Sequence, residues 1–403
     1  MEREEKENMK TLLLKKNEDR RVREGHCWIF SNEVDTTKTP LKAFEPGECA
    51  RVEAAGGRPL GLATINPGAL ICGRLVSREA RDRLDPDFFR ERVRTALELR
   101  ERCFDKPFYR LVFSESDFLP GLIVDRFGGL LSVQFLTAGM ERVREAVLEA
   151  LRDVVRPSGI LLKNDSRSRE LEGLPKEVVT AWGDVPETLG IEENGTRFAV
   201  SPASGQKTGW YYDMRANRAS LLPFAAGKRV LDAFCYAGAL GVAAARAGAE
   251  AVTCLDASGP ALEAVARNAA LNDVAERVEC VKADAFEALS EMLDQGRRFD
   301  LVSLDPPAFI QRRKDVETGT AAYRKANRLA LGLVEHGGLL LTCSCSQHLS
   351  RDDLRRVLQR AAQEARVRVR IIRQGHQDMD HPVHPAMPET DYLKGFLVQV
   401  LRD

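Results

Sequence analysis

Two cysteines one residue apart, Cys343 and Cys345, close the apolar run Leu339-Leu-Leu-Thr-Cys-Ser-Cys-Ser346. In an extended strand, side chains two residues apart project to the same side. Both thiols then face one way, and Cys345 sits nearer the strand's carboxyl end. Upstream, Leu304-Asp305-Pro306-Pro307-Ala308-Phe309 is a second apolar run, broken by an acidic turn that two prolines stiffen. Further upstream lies Val230-Leu-Asp-Ala-Phe-Cys-Tyr-Ala-Gly238. An acid, a rigid turn and a thiol at three strand ends converge on one crevice if the strands share an open α/β sheet, because such sheets bind ligands outside their carboxyl ends. Covalent chemistry on a base is the reaction type these residues allow.

The carbon chemistry is specific. Cytosine C5 is a poor nucleophile until something adds at C6, and a thiolate is a natural adduct former. Cys345 fits that role: addition at C6, methyl transfer to C5, loss of the C5 proton, then expulsion of the thiolate. A thiol with a pKa of about 8.5 is mostly protonated at neutral pH, so the site must lower that value or deprotonate the thiol on substrate binding. Cys343 lies one pleat deeper and reads as core. The competing reading of Cys345 is a buried structural cysteine.

The donor side rests on three acids. Dinucleotide sites use glycines so that the backbone can approach a pyrophosphate. In Asp232-Ala-Phe-Cys-Tyr-Ala-Gly238, Phe234 and Tyr236 stand where two such glycines would be. Their bulk crowds out a pyrophosphate, whereas a nucleoside without phosphates, such as S-adenosylmethionine, can lie against the turn. Asp256 ends the next strand, Ala251-Val-Thr-Cys-Leu-Asp256, where an acid accepts ribose hydroxyls. Asp284, closing Val281-Lys-Ala-Asp284, is placed to accept the adenine amine. Each acid alone reads as the N-cap of the following helix; three in succession favour a nucleoside cofactor. Lys207, in Gly205-Gln-Lys-Thr-Gly209, can approach either the donor carboxylate or an RNA phosphate.

These residues need elements to carry them. From Thr11 to about Ser77, short strands are broken by turns at Glu45-Pro-Gly47, Gly56-Gly57 and Asn66-Pro-Gly68, the pattern of a small β-barrel. Asp85-Pro-Asp opens a helix with apolar residues at Phe88, Phe89, Val93, Leu97 and Leu99. Extended runs, a helix near 139–153 and the strand from Gly159 complete a compact α+β unit. After Leu189 a hairpin with Glu193-Asn-Gly195 at its turn leads into alternating strands and helices, a doubly wound parallel sheet. The expected organisation is a barrel over 11–78, a central α+β domain over 79–187 and an α/β domain over 188–403.

Bulk properties bound the partners. At 403 residues two or three domains are expected. Lys+Arg and Asp+Glu both number 60, so any nucleic-acid contact must use local basic patches. The nine cysteines form no CxxC pair and lack histidine-rich companions, so neither a metal nor a disulfide framework is expected. Cys49, Cys72, Cys254 and Cys280 read as small apolar residues. No stretch approaches the ~20 apolar residues of a membrane span, and Met-Glu-Arg-Glu-Glu-Lys lacks the apolar run of a signal peptide. A cytoplasmic protein with no membrane partner is expected; a homodimer is left open.

The assembled motifs resemble a known family, the PUA-domain-containing class I methyltransferases of large-subunit ribosomal RNA, whose best-known members make 5-methylcytosine. Glu24-Gly-His-Cys-Trp-Ile-Phe-Ser31 and Ala63-Thr-Ile-Asn-Pro-Gly-Ala-Leu-Ile71 are similar to its N-terminal PUA segments. Gly205-Gln-Lys-Thr-Gly-Trp-Tyr-Tyr-Asp-Met-Arg-Ala-Asn-Arg218 is similar to its entry to the catalytic domain. Asp380-His-Pro382 and Pro388-Glu-Thr-Asp-Tyr-Leu-Lys394 match its C-terminal signature. The resemblance implies a Rossmann-like methyltransferase domain using S-adenosylmethionine, with Asp232, Asp256, Asp284 and Asp305 lining the cofactor pocket and Cys345 as nucleophile. Asp305-Pro-Pro also resembles the turn by which other methyltransferases grip an exocyclic amine. Trp210-Tyr-Tyr212 replaces a more usual Phe-rich segment, and Ala308 stands where relatives often carry Lys. Some members methylate guanine and lack this cysteine, so Cys345 carries the choice of product.

A PUA-like barrel binds structured RNA by shape and backbone contacts. The cations available to it are Arg20, Arg21 and Arg23, then Arg74, Arg78, Arg81 and Arg83. Arg366, Arg368 and Arg370 alternate on a late strand, as a phosphate rail or as an edge-strand device. His381 and His384 flank Pro382 and Pro385, where loop packing is the better reading than metal binding. Two alternatives stand beside the cytosine reading: guanine or exocyclic-amine methylation governed by Asp305, and a non-catalytic RNA-binding assembly factor. A NAD-dependent oxidoreductase is disfavoured by Phe234 and Tyr236.

Overall fold

The computed structural model describes residues 9–205 and 208–402. Contacts divide the chain into two compact units. The first runs to Leu189 and takes in Ser201–Trp210 and Met379–Thr390; the second holds Gly190–Val200, Tyr211–Asp378 and Asp391–Asp403.

Unit one contains two sheets. The N-terminal sheet has β1 (Thr11–Leu13), β2 (Trp28–Phe30), β3 (Glu48–Glu53), β4 (Pro59–Ile65) and β5 (Ile71–Ser77), in the order β1-β3-β4-β5-β2. It closes on its own core, which includes Leu12, Ile29, Val52 and Ile65. The second sheet has β6 (Phe108–Phe113), β7 (Leu122–Phe127), β8 (Leu130–Phe135), β9 (Gly159–Asn164) and β10 (Glu177–Gly183), in the order β10-β9-β8-β7-β6. Two helices, Pro86–Cys103 and Arg144–Val155, contribute to its core. The first begins as its sequence dictates, with the Asp85 carboxylate accepting from Phe88 N and Pro86 in the first turn. Its buried face is Phe89, Val93, Ala96 and Arg100, while Leu99, expected on that face, is exposed. Arg100 is buried because Asp117 pairs with it through two bonds of 2.5 and 2.7 Å.

The two sheets have separate cores, yet Trp28 Nε1 donates to Glu115 at 2.7 Å, and Arg74 and Asn66 both donate to Glu172 at 2.7 Å. Both sheets fall within the first compact unit. Two segments of the span 188–403, Ser201–Trp210 and Met379–Thr390, also belong to unit one. Met379–Thr390 packs in unit one because Arg100 donates to the Asp380 carbonyl and Arg110 N donates to its carboxylate, each at 2.9 Å. Ser201–Trp210 does so because Lys163 Nζ donates to Ala203 O at 2.6 Å and the Thr208 hydroxyl donates to Asp125.

Unit two is built on a seven-stranded sheet preceded by the hairpin β11 (Leu189–Glu193) and β12 (Thr196–Val200). Asn194 and Gly195 both have positive φ, the geometry of a tight hairpin turn. The large sheet contains β13 (Arg229–Ala233), β14 (Ala251–Asp256), β15 (Val278–Lys282), β16 (Phe299–Leu304), β17 (Val334–Ser344), β18 (Arg368–Gly375) and β19 (Lys394–Leu401). Their order is β15-β14-β13-β16-β17-β19-β18, so chain direction across the sheet reverses between β13 and β16 and opens a crevice at their carboxyl ends. The first five strands are parallel; β19 is antiparallel to both β17 and β18. The expected all-parallel sheet therefore ends in an antiparallel pair, and β19, which inserts between β17 and β18, was not anticipated. Among the described residues, no helix is long and apolar enough to cross a membrane.

Candidate active site

Past Ala233 the chain turns through three left-handed residues in alternation: Phe234 (φ 61°), Tyr236 (φ 49°) and Gly238 (φ 76°). A non-glycine residue held there costs on the order of 1 kcal/mol. Ring contacts oppose that cost: Phe234 meets Phe309 edge-on at 6.4 Å, and Tyr236 meets Tyr211 at 5.4 Å. The turn feeds the helix Ala239–Arg246, which lies close on β14. A Cβ on Gly241 would come within 2.4 Å of Cys254 Sγ.

The three acids have different surroundings. Asp232 is buried and its Oδ2 accepts from Gly241 N at 2.9 Å, fixing the helix start from beneath. Burial pushes its carboxyl up to about 6, against the lowering effect of that N–H. Asp256 is partly exposed at the end of β14, where Oδ2 accepts from Tyr236 N at 3.0 Å and Oδ1 from Ser258 N at 2.9 Å. Two backbone donors thus aim this carboxylate while leaving lone pairs for a ligand. Asp284 is exposed and caps the helix Ala285–Asp294 with Oδ1, at 2.9 Å from Phe286 N and 3.2 Å from Glu287 N. The helix-capping role weighed for these acids is thus present at Asp284, whose Oδ2 stays outside the cap.

Beside them, Phe309 lies 5.8 Å from Phe286 and 4.8 Å from Tyr323. Aromatic faces, an aimed carboxylate at the end of β14 and bulky residues at the loop's glycine positions fit an adenosyl group and leave no glycine-lined approach for a pyrophosphate.

The strands β13, β16 and β17 are consecutive neighbours, so the turns after them adjoin. Asp305 N donates to Ala233 O at 3.5 Å, linking the acidic turn to the donor loop. Cys345 is the first residue beyond β17 and is half-buried. Cys343 is fully buried, and burial pushes its thiol well up. Ser346 joins the two turns: Ile310 N donates to its hydroxyl at 3.1 Å, and Tyr323 Oη lies 2.9 Å from the same oxygen.

One nearby charge, Lys394, entered the sequence reading only as the end of the C-terminal signature. Lys394 opens β19 opposite Ser344 and is buried. Its Nζ donates to Ser346 O at 2.6 Å and to Tyr392 O at 2.8 Å. Burial pushes the ammonium down to about 8, opposed by the neighbouring Cys345 and Asp391. The available signal was a lysine heading the apolar run Gly395-Phe-Leu-Val.

Other expectations resolve differently. Lys207 lies outside the described residues. Most of the candidate RNA-binding arginines have internal partners: Arg20 with Glu24, Arg21 with Glu33, Arg23 with Asp19, Arg74 with Glu172 and Arg81 with Glu79. Arg368 and Arg370 lie on the edge strand β18, whereas Arg366 precedes it in a left-handed turn. Cys280, read as a small apolar residue, is exposed on the other edge strand, β15. His381 Nδ1 pairs with Asp380 at 2.7 Å and its ring packs 5.0 Å from Phe113; His384 packs 5.5 Å from Phe118.

The sequence profile of the S-adenosylmethionine-dependent methyltransferases matches residues 174–395, and that of the PUA-like domain matches residues 12–78. The chain is 35% identical over 394 residues to ribosomal RNA large subunit methyltransferase I of Shewanella frigidimarina, covering 96% of this chain and 99% of that one. To the protein of the same name from Vibrio cholerae it is 35% identical over 397 residues, covering 97% and 99%. A solved structure from Streptococcus mutans, described as a SAM-dependent methyltransferase, shares the fold with a TM-score of 0.82 at 20% identity, covering 97% of this chain and all (100%) of that one. Another methyltransferase structure, complexed with SAH, aligns with a TM-score of 0.82 at 21% identity and the same coverage. With these matches over nearly its whole length, the chain belongs to the S-adenosylmethionine-dependent methyltransferase family, joined to an N-terminal PUA-like domain.

Proposed function

We propose that this methyltransferase forms 5-methylcytosine in large-subunit ribosomal RNA through a covalent adduct of Cys345. The observation that carries the reading is the placement of Cys345 just beyond β17, tied through Ser346 to the turn that carries Asp305. The relatives' names support large-subunit ribosomal RNA as the substrate class.

In this reading Asp256 holds the ribose hydroxyls, Asp284 accepts the adenine amine through its Oδ2, and Phe234, Tyr236 and Gly238 shape the wall against the nucleoside. Asp232 holds that wall from beneath. Bound S-adenosylmethionine supplies an electrophilic methyl group. Asp305 accepts from the cytosine amine and orients the ring. The Cys345 thiolate adds to C6, which places an electron pair on C5. Once C5 carries the methyl group, loss of its proton to a base restores the double bond and expels the thiolate. The PUA-like domain holds the surrounding RNA.

The test is nucleoside mass spectrometry of ribosomal RNA from a strain lacking this protein, before and after incubation with the purified enzyme and S-adenosylmethionine. The expected product is 5-methylcytidine. A methylated guanosine or an N-methylated base would overturn the cytosine reading and leave Asp305 as the governing residue.

A further inference from the structure

A buried lysine without a carboxylate partner is uncommon, because removing an ammonium from water is costly unless another charge faces it. Lys394 is such a residue: it is 5% exposed, its Nζ is held by two carbonyl oxygens, and no carboxylate lies within ion-pair distance of it among the described residues. One of those carbonyls belongs to Ser346, the residue next to Cys345. Ser346 is itself fully buried and fixed at its amide, hydroxyl and carbonyl, by Ser344, by Ile310 with Tyr323, and by Lys394 respectively. The lysine therefore has a fixed position relative to the backbone that carries the thiol.

We infer that Lys394 is a positioning residue for the reaction, its anchored ammonium supplying the positive charge that keeps the Cys345 sulfur ionised. The inference deepens the proposed function and rests on Cys345 being the nucleophile. On ionisation the thiol proton leaves to water and the sulfur keeps its electron pair, which forms the S–C6 bond when the base arrives. The ionisable groups facing Cys345 include the hydroxyls of Tyr211 and Tyr323, the thiol of Cys343 on the same strand, and Lys394. Asp305 and Asp213 face Tyr211 and Cys343, Arg218 faces Cys343, and Asp391 and Arg351 face Lys394. Lys394 is held on the carbonyl of the residue next to the thiol, and loss of its charge disfavours the thiolate.

The experiment follows alkylation of Cys345 by iodoacetamide against pH in the full-length protein, read at the peptide level by mass spectrometry. Lys394→Met is expected to raise the midpoint by about one pH unit, slowing alkylation about tenfold at pH 7. Lys394→Arg, which keeps the charge, is expected to hold the midpoint near that of the parent. Turnover should fall in the methionine variant while KM for S-adenosylmethionine stays the same. Lys394→Gln, which keeps a donor for one carbonyl but no charge, serves if the methionine variant does not fold, and should match the methionine midpoint. An unchanged midpoint in either folded neutral variant, or an arginine variant that behaves like them, would overturn the role. Alkylation involves no methyl transfer, so a failure here is separable from a failure of the nucleophile reading, which Cys345→Ala turnover reports.

Discussion

Cys345 and Cys343 differ by one pleat and by complete burial of the inner one, which is why their substitutions should diverge. Cys345→Ala is expected to lower turnover at least a thousandfold, with S-adenosylmethionine affinity by calorimetry retained, since C5 stays unactivated without the adduct. Cys343→Ala should keep most turnover and lose about 1 kcal/mol of stability in chemical denaturation, from the small void it leaves. Asp232 gives a pH-dependent test. Its folded value of about 6 lies above the unfolded value near 3.8, so its protonated form favours folding at acid pH. That contribution is complete below pH 4 and is lost as pH rises through 6, a change of about 3 kcal/mol. Asp232→Asn keeps an oxygen for Gly241 N but carries no charge. Its stability relative to the parent, followed by thermal denaturation from pH 4 to pH 7.5, should rise across that interval; a flat difference would place the carboxylate in a wetter setting. The two cysteines were separable by their order along the strand, Cys343 lying one pleat deeper, whereas the burial of Lys394 was not legible, because it depends on the antiparallel strand β19.

At the scale of elements, the turns that carry Asp305 and Cys345 are joined by Ser346. Ser346→Ala removes the acceptor of Ile310 N and the partner of Tyr323, and should cost about 1–2 kcal/mol of stability. Turnover should fall severalfold as the turns loosen, with donor affinity unchanged in calorimetry. Asp256→Asn, by contrast, should weaken S-adenosylmethionine binding about tenfold, since an amide cannot accept through both positions. The alternation of strands and helices in unit two was legible because apolar runs end in Asp232, Asp256, Asp284 and Asp305, each followed by a helix start or a turn. Proline and N-cap signals likewise placed the start of the helix Pro86–Cys103. Two strands were not legible. β10 is exposed along most of its length, so it lacks the period-two burial that marks a strand, and β19 follows a proline-rich loop and joins the sheet between strands that precede it in sequence.

For the whole molecule, the domain order was readable from turn-rich short strands giving way to alternating elements, but the return of 379–390 to unit one was not. That return depends on long-range bonds from Arg100 and Arg110 to Asp380, which no local pattern announces. Arg100→Met should therefore destabilise the protein by about 3 kcal/mol or more in urea denaturation, because Asp117 is left buried without its partner. The intramolecular pairing of Arg20, Arg21, Arg23 and Arg74 likewise arises from carboxylates brought near by folding or by the next helical turn.

The account turns on a bond between Cys345 and a pyrimidine, and trapping measures that bond directly. Large-subunit ribosomal RNA transcribed with 5-fluorocytidine carries a fluorine where the C5 proton must leave, so the adduct persists after methyl transfer. On a denaturing gel, the full-length enzyme with this RNA and S-adenosylmethionine should give a slowly migrating complex that Cys343→Ala retains and Cys345→Ala loses. A Cys345→Ala enzyme that still forms the complex, or an active parent enzyme that forms none, would contradict it.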